Sequence, residues 1–283
     1  MNIICIGEAL MDVFKDGDKE SAKIGGAPLN AAVAIKYNSN NTVYFGSNVG
    51  DDKNSLIIKD FLTQQDIKAD FVTTINDTNL STAVVSLEPS GERNFKFDIK
   101  MDMRNKVNVD ISKIDLAHFG SAFGMLNDCY PNYIDIMKEL FLANKTVVFD
   151  PNYRDDLWSS EEEFAKKTFE VIEYASIVKL SEEEFLILNK YKRNFFMDYK
   201  QQYILMTKGE NGVEFYHDGR GDNFSVIKST NVVDTTGAGD AFIGALISQL
   251  PKNYVYEDMG KAIEFANKFA KKVVEGKGAL CYL

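Results

Sequence analysis

The chain has 283 residues, 45% of them hydrophobic, enough to bury a sizeable core in one large domain or in one domain with a small appendage. A net charge of −10 speaks against nucleic acid or an anionic membrane surface as a partner, because both select basic faces. Two histidines, His118 and His217, and three scattered cysteines, Cys5, Cys129 and Cys281, offer no typical zinc site, Ser-His triad or disulfide frame, and leave acid–base work to a carboxylate.

In chain order, Ile3–Ile6 reads as a strand that starts at once, without the basic region of a signal peptide. No apolar run approaches the length of a membrane span, and a cytoplasmic protein is expected. Val13 to Ile24 is polar with no helical period. Gly25-Gly26-Ala27-Pro28-Leu29-Asn30 leads into the helical Ala31–Ile35, and Val43–Phe45 reads as a strand. Thr82 to Asp98 holds short β-like runs around the turn signal Pro89-Ser90-Gly91, with Phe95 and Phe97 alternating with Asn94 and Lys96. Leu116–Gly120, Thr146–Phe149, Ile177–Leu180 and Tyr203–Met206 are further apolar strands. Helices fall between them at Pro131–Ala143, where Pro opens the first turn, and after Ser160, whose Glu163 completes a capping-box pattern. Ala241–Ile247 reads as a buried helix, and Met259, Ile263, Ala266, Phe269, Ala270 and Val273 form the stripe of the last one. This alternation predicts an α/β fold with a mostly parallel central sheet flanked by helices. The two irregular pieces are expected to form a small β layer beside it.

Four of the strands end in polar residues: Gly7-Glu8, Asp150-Pro151-Asn152-Tyr153-Arg154, Ser181-Glu182-Glu183-Glu184 and Thr207-Lys208-Gly209. Open α/β sheets bind ligands beyond the carboxyl ends of their strands, so these segments are expected to line one crevice.

The strongest chemical signal is Asp234-Thr235-Thr236-Gly237-Ala238-Gly239-Asp240, just before the apolar helix. Small residues at a helix start let amides approach an anion, and the helix dipole favours negative charge there. Such amides suit a phosphoryl group in transfer, and Asp240 in the first turn can take a proton from an attacking hydroxyl. The alternative is an ordinary N-terminal Asp that stabilises the dipole. The run is not a P-loop, since no G-x-x-x-x-G-K-[ST] occurs, nor a dinucleotide fingerprint, since Phe242 stands where the third glycine belongs. In the Gly25 to Asn30 segment, paired glycines permit close approach to a ligand, and Asn30 offers a donor and an acceptor suited to sugar hydroxyls. Its alternative is a glycine-rich turn with Pro28 at the first helical position.

Taken together, Gly25 to Asn30 with Gly46 and Gly50-Asp51-Asp52, and Asp234 to Phe242, resemble the two signatures of the PfkB (ribokinase-like) carbohydrate kinases, and the likeness runs over nearly the whole chain. It implies a ribokinase-like core over 1–12, 25–81 and 107–283, a small β lid over 13–24 and 82–106, ATP and Mg2+, and phosphorylation of a sugar hydroxyl. By the same resemblance Asp240 is the catalytic base, and the amides of Gly237, Ala238 and Gly239 form its anion hole. Asp12, Gly25, Gly26 and Asn30 hold the sugar. Asn152, Ser181, Thr207, Lys208, Gly209, Gly212, Gly237, Gly239 and Asn267 fall on the nucleotide side. Gly278-Ala279 matches a segment near the nucleotide and a monovalent-cation site, with K+ the candidate occupant. The family's N-x-x-E motif here reads Ser181-Glu182-Glu183-Glu184. Glu184 is retained for a metal-related role through water, and the same pair satisfies a capping box.

Asp150 to Trp158 is similar to a run in fructokinases and in 2-keto-3-deoxygluconate kinases, with Arg154 able to grip a hydroxyl, carboxylate or phosphate, or to serve as a surface or capping residue. Gly26-Ala27-Pro28 and Gly91 to Phe97 are closest in appearance to fructokinases. Those continue with Tyr-Arg where this chain has Asp98-Ile99-Lys100, so the lid-side contacts depart, and Arg93 or Lys100 is the candidate replacement. The expected activity is an ATP-dependent fructokinase acting on a primary hydroxyl. The alternatives are a 2-keto-3-deoxygluconate kinase, a nucleoside or vitamin kinase of the same superfamily, and a non-catalytic sugar-binding homologue. A lid face carrying Phe95 and Phe97 is expected to be exposed and to serve as a homodimer surface.

Overall fold

The computed structural model describes residues 1–16, 19–87, 93–100, 105–126, 128–226 and 228–283. Its first half contains β1 (Asn2–Ile6), β2 (Leu10–Asp16), β3 (Lys19–Gly25), α1 (Ala27–Asn38), β4 (Thr42–Val49), α2 (Lys53–Gln64), β5 (Lys68–Thr74), β6 (Thr82–Leu87), β7 (Arg93–Asp98) and β8 (Leu116–Phe119). Then come α3 (Tyr130–Leu142), β9 (Thr146–Phe149), α4 (Glu161–Ile172), β10 (Ile177–Ser181), α5 (Glu182–Tyr191), β11 (Tyr203–Thr207), β12 (Val213–His217), β13 (Arg220–Phe224), α6 (Ala238–Gln249) and α7 (Tyr256–Val274).

The larger sheet has the order β13-β12-β11-β10-β9-β8-β1-β4-β5. From β5 to β11 every pair is parallel, and β12 and β13 add an antiparallel edge. The inner strands are continuous apolar runs because both faces of the sheet are covered. Side chains alternate between the faces. Ile3, Cys5, Leu116, Val148, Ile177 and Leu205 join the core under α1, α2, α6 and α7. Ile4, Ile6, Ala117, Phe119, Phe149, Val178 and Leu180 join the core under α3, α4 and α5. No described helix is long and apolar enough to cross a membrane.

The smaller sheet has the order β3-β2-β6-β7. It takes in Leu10, Asp12 and Gly25, and so reaches past the 13–24 segment on both sides. The Pro89-Ser90-Gly91 turn and Glu92 lie outside the described residues, as do the side chains of Arg93 and Phe95. Phe97 corrects the expectation of an exposed aromatic face. Its ring meets Phe123 edge-on, with centroids 5.5 Å apart, and joins a small cluster with Leu10, Ala83 and Ala122. Phe97 turns inward because the apolar face of this sheet roofs a crevice in the larger domain.

Three features lie outside the sequence expectation. α2 buries only Ser55, Ile58 and Leu62, and β5 buries only Phe71, so neither shows a long apolar run. The β12–β13 hairpin turns at Asp218-Gly219, where both residues have positive φ, 48° and 75°, as a two-residue hairpin turn requires.

Candidate active site

β1 marks the point where strand order reverses, with β4 and β5 on one side and β8 to β11 on the other. A crevice therefore opens at the carboxyl edge of these strands. Two adjoining cavities occupy it, of about 560 Å³ and about 410 Å³, and Thr235, Ala238 and Gly239 line both. The four polar strand ends divide between them. Glu8, Asn152–Arg154 and Ser181, Glu183 and Glu184 face the larger cavity, and Thr207 and Gly209 face the smaller one.

Asp240 stands in the larger cavity, in the first turn of α6. Gly237 precedes that helix with φ 74°, and no side chain caps the helix. A Cβ on Gly237 would lie 2.3 Å from the Ala279 Cβ, so only glycine lets the 276–279 segment close on this turn. Asp234 locks the turn from within: Oδ1 accepts from the Thr236 amide at 3.0 Å, and Oδ2 from the Gly278 amide at 3.0 Å. The Ala238 amide donates to the Thr235 carbonyl at 3.2 Å. Asn30 Nδ2 donates to Asp240 Oδ2 at 2.9 Å, while Asn30 Oδ1 is buried without a partner. Burial pushes the Asp240 carboxyl up to about 7. The Asn30 bond pulls it down, Asp150 pushes it further up, and Arg154 and Lys179 pull it down. A carboxyl titrating near neutrality is suited to proton abstraction.

The smaller sheet contributes Leu10, Asp12, Ala83 and Phe97 to the same cavity. Burial lifts Asp12 to about 6, against the pull of Lys23. Gly26 lines the cavity with φ 111°, where a Cβ would strike the Glu8 carbonyl at 2.6 Å. Gly25 does not line it. A Cβ there would lie 2.5 Å from Asp12 Oδ2, so this glycine clears the space for the Asp12 carboxylate. Arg154 lines the rim and donates from Nη1 to the Tyr153 carbonyl at 2.7 Å. Asn152 and Ser181, read from the sequence as nucleotide-side residues, lie in this cavity and not in the smaller one. Asn152 is buried, and its Nδ2 donates to the Gly120 carbonyl at 3.0 Å.

The smaller cavity is lined by Thr207, Gly209, Gly212, Phe242 and Asn267, among others, and is mostly apolar. Asn267 is buried, and its Nδ2 has no partner, so the amide is free to donate to a ligand. Lys208 does not line this cavity. Its ammonium pairs with Glu214 at 2.6 Å, and its amide donates to the Gly212 carbonyl at 2.8 Å, which shapes the loop.

Glu184 is buried and ties two strand ends together. Oε1 accepts from the Tyr153 amide at 2.7 Å, and Oε2 from the Ser181 amide at 2.6 Å, while Ser181 Oγ accepts from the Glu184 amide at 3.2 Å. The capping box is therefore formed. Among the described residues no group of three or more His, Cys, Asp or Glu side chains is arranged to hold a metal ion directly. Of the first-signature residues, Asp51 accepts from the Asp77 and Thr78 amides and Asp52 caps α2, so both brace the loop ahead of β6.

Two cavity residues went unassigned from the sequence. Glu8 is buried, accepts a hydrogen bond from Ser121 Oγ, and has its carboxyl held above the usual range by burial, against the pulls of Ser121 and Arg154. Lys179 is buried and ion-paired with Asp150 at 2.9 Å. A charged residue inside the apolar run Ile177-Val178-Lys179-Leu180 was the available signal for it.

The family model of the pfkB family carbohydrate kinases matches residues 1–281. The chain is similar to a fructokinase of Vibrio alginolyticus, 28% identical over 291 residues that cover 98% of this chain and 94% of the relative. Among solved structures, a fructokinase of Xylella fastidiosa with bound ATP shares the fold, with a TM-score of 0.89 at 24% identity over 98% of this chain and 93% of the other. A double-mutant fructokinase of Vibrio cholerae O395, in its fructose-, ADP- and potassium-bound form, superposes with a TM-score of 0.81 at 26% identity, covering 99% and 94%.

Proposed function

The chain belongs to the pfkB family of carbohydrate kinases, ATP-dependent enzymes, and we propose that its sugar is fructose, phosphorylated at the primary C6 hydroxyl. The observation that carries the reading is the place of Asp240. It stands in the larger cavity, next in sequence to the Ala238-Gly239 wall that the two cavities share, hydrogen-bonded to Asn30 and titrating near neutrality.

In this reading the sugar occupies the larger cavity under the small sheet. Asp12 accepts from its hydroxyls, Asn30 Oδ1 takes another, the Gly26 backbone lies against the ring, and Arg154 and Glu8 bound the far side. Gly25 serves by making room for Asp12. The nucleotide occupies the smaller cavity, with its base near Asn267 and its ribose and phosphates along Thr207, Gly209 and Gly212, in the loop that Lys208 shapes. The triphosphate then extends past Gly237, Ala238 and Gly239 toward the sugar, beside Ser181 and Asn152. Asp240 takes the hydroxyl proton as the oxygen attacks the γ-phosphorus, and the α6 amides receive the charge that spreads over the phosphoryl oxygens. Mg2+ would offset phosphate charge. Glu184, whose two oxygens each already accept an amide, suits contact with that ion only through water. The turn that Asp234 fixes against Gly278 is the candidate K+ site.

The chain is read as a core over 1–12, 25–81 and 107–283 with a lid over 13–24 and 82–106, in the cytoplasm, and as a homodimer through the lid, which a monomer in sedimentation would remove. The names of the relatives favour fructose over a keto-acid sugar or a nucleoside. A substrate panel of fructose, 2-keto-3-deoxygluconate, adenosine and pyridoxal, read by ADP release, tests the choice. Fructose should give the highest kcat/KM by at least about ten-fold. A higher value for any other member overturns the assignment.

A further inference from the structure

We propose that Lys179 is a catalytic residue whose ammonium binds the phosphoryl group during transfer, alongside the α6 amides, with Asp150 as the residue that positions it. The proposal rests on the reading of this cavity as a phosphoryl-transfer site and adds a cation that no sequence motif assigned.

Lys179 lies on β10 between fully buried neighbours, Val178 and Leu180. Side chains alternate along a strand, so Lys179 shares a face with Ile177, on the side covered by α6. Its stem crosses that layer and brings Nζ into the larger cavity, 3.4 Å from where a Cβ on Gly239 would stand. The ammonium therefore sits against the first turn of α6, where an anion is expected. Its side chain is 9% exposed.

An ammonium carries three N–H donors. Among the described residues Lys179 makes one hydrogen bond, to Asp150 Oδ2 at 2.9 Å. Burial alone would draw its pKa down, but Asp150, Glu184 and Asp240 hold it above the usual lysine range, so it stays charged. The nearby His118 is neutral, pushed down to about 3 by burial and by Lys179 itself. A buried cation with donors to spare, facing a cavity at a helix N-terminus, is completed by an anion.

The step balances without Lys179 losing a proton. The sugar oxygen forms a bond to the γ-phosphorus, the bond from that phosphorus to the β–γ bridging oxygen breaks, and its electron pair leaves with ADP. The hydroxyl proton goes to Asp240. Lys179 keeps its hydrogens and meets the charge on the phosphoryl oxygens. Asp150 fixes where Nζ points.

The test is the double variant Lys179→Met with Asp150→Asn, which replaces the ion pair by two neutral side chains of similar size and avoids stranding a buried carboxylate. Lys179→Arg is the companion that keeps the charge. Measured quantities are kcat and sugar KM for the preferred sugar of the wild type, and the affinities of ADP and of a β,γ-imido ATP analogue without sugar. The double variant should lose kcat by about 10²–10³-fold, as for one oxyanion-hole donor, with sugar KM and ADP affinity within about three-fold. The triphosphate analogue should weaken by at least about five-fold more than ADP, and Lys179→Arg should keep kcat at least about ten-fold above the double variant. A folded double variant with kcat within about three-fold of wild type, or equal losses for ADP and the analogue, overturns the proposal. Should the double variant fail to fold, Lys179→Arg decides: unchanged selectivity for analogue over ADP supports the role, and lost selectivity overturns it. A wild type that prefers another sugar defeats the fructose assignment and leaves this comparison intact.

Discussion

The Asn30–Asp240 hydrogen bond gives direct access to the proposed base. Burial lifts the Asp240 carboxyl to about 7, and the Asn30 donor, 2.9 Å away, is the strongest influence pulling it back. Asn30→Leu removes that donor at nearly constant volume. A hydrogen bond to a charged group contributes about 1.5–3 kcal/mol, and the partial access of Asp240 to the cleft places this one at the lower end. At about 1.36 kcal/mol per unit, the expected shift is about one pKa unit. Losing a donor disfavours the carboxylate, so the pKa moves upward, to about 8. At pH 7 the ionised fraction then falls from about one half to about one tenth, an ionisation loss of about five-fold. By pH 9 both enzymes are mostly ionised and this loss closes, leaving only the pH-independent cost of the proposed sugar contact of Asn30. The assay is kcat/KM for fructose from pH 5.5 to 9.5, with ADP release coupled to a dye, for wild type and variant. An ascending limb that stays in place or moves to lower pH would refute the reasoning.

Asp240→Asn should lower kcat by about 10²–10⁴-fold while ADP affinity, read by calorimetry, holds. The same variant tests linkage. The folded carboxyl titrates near 7, against an ordinary 3.8, so the native state holds more protons between these values and its stability falls as pH rises through that window. The melting temperature of Asp240→Asn relative to wild type should therefore climb from pH 5 to pH 8. Gly237→Ala should destabilise by about 1–3 kcal/mol in denaturant titration, because its Cβ would press on Ala279. Ala279→Gly should restore only part of this, since the Ala279 Cα is also 2.7 Å from that point. Glu184→Gln sets an NH2 group against the amide of either Tyr153 or Ser181, and should cost about 1–3 kcal/mol by the same titration, with or without Mg2+ present.

The parallel strands were legible because strands buried on both faces read as mostly apolar runs, and Thr146–Phe149 and Ile177–Leu180 are such runs, broken only by Thr146 and Lys179. Edge elements carry weaker patterns. β5 begins Lys68-Ala69-Asp70 and buries one side chain, and the Asp218-Gly219 turn signal was present but its flanking strands mix polar with aromatic residues. The Asp234 to Asp240 run was readable because Gly237 serves a local need, a left-handed residue at a helix start. Lys179 was not, because its burial depends on Asp150, Glu184 and α6, which come together only in the fold. Lys208 misled for the opposite reason. It follows a strand on the ligand edge, yet Glu214, its neighbour across the hairpin, draws it away. Phe97 showed the right period without showing which face of the small sheet is covered.

The wall that both cavities share is short, confined to Thr235 and the first residues of α6. Thr235, Ala238 and Gly239 touch both chambers, so occupants of the two would meet at these residues. A single molecule joining an adenosine to a sugar through a short phosphate bridge would then fill both chambers without a spacer. Its second half would bind at the millimolar or higher effective concentration of a short tether, and its affinity should exceed that of either half alone by orders of magnitude. Such bisubstrate ligands are a natural starting point for inhibitors, because each half reinforces the hold of the other.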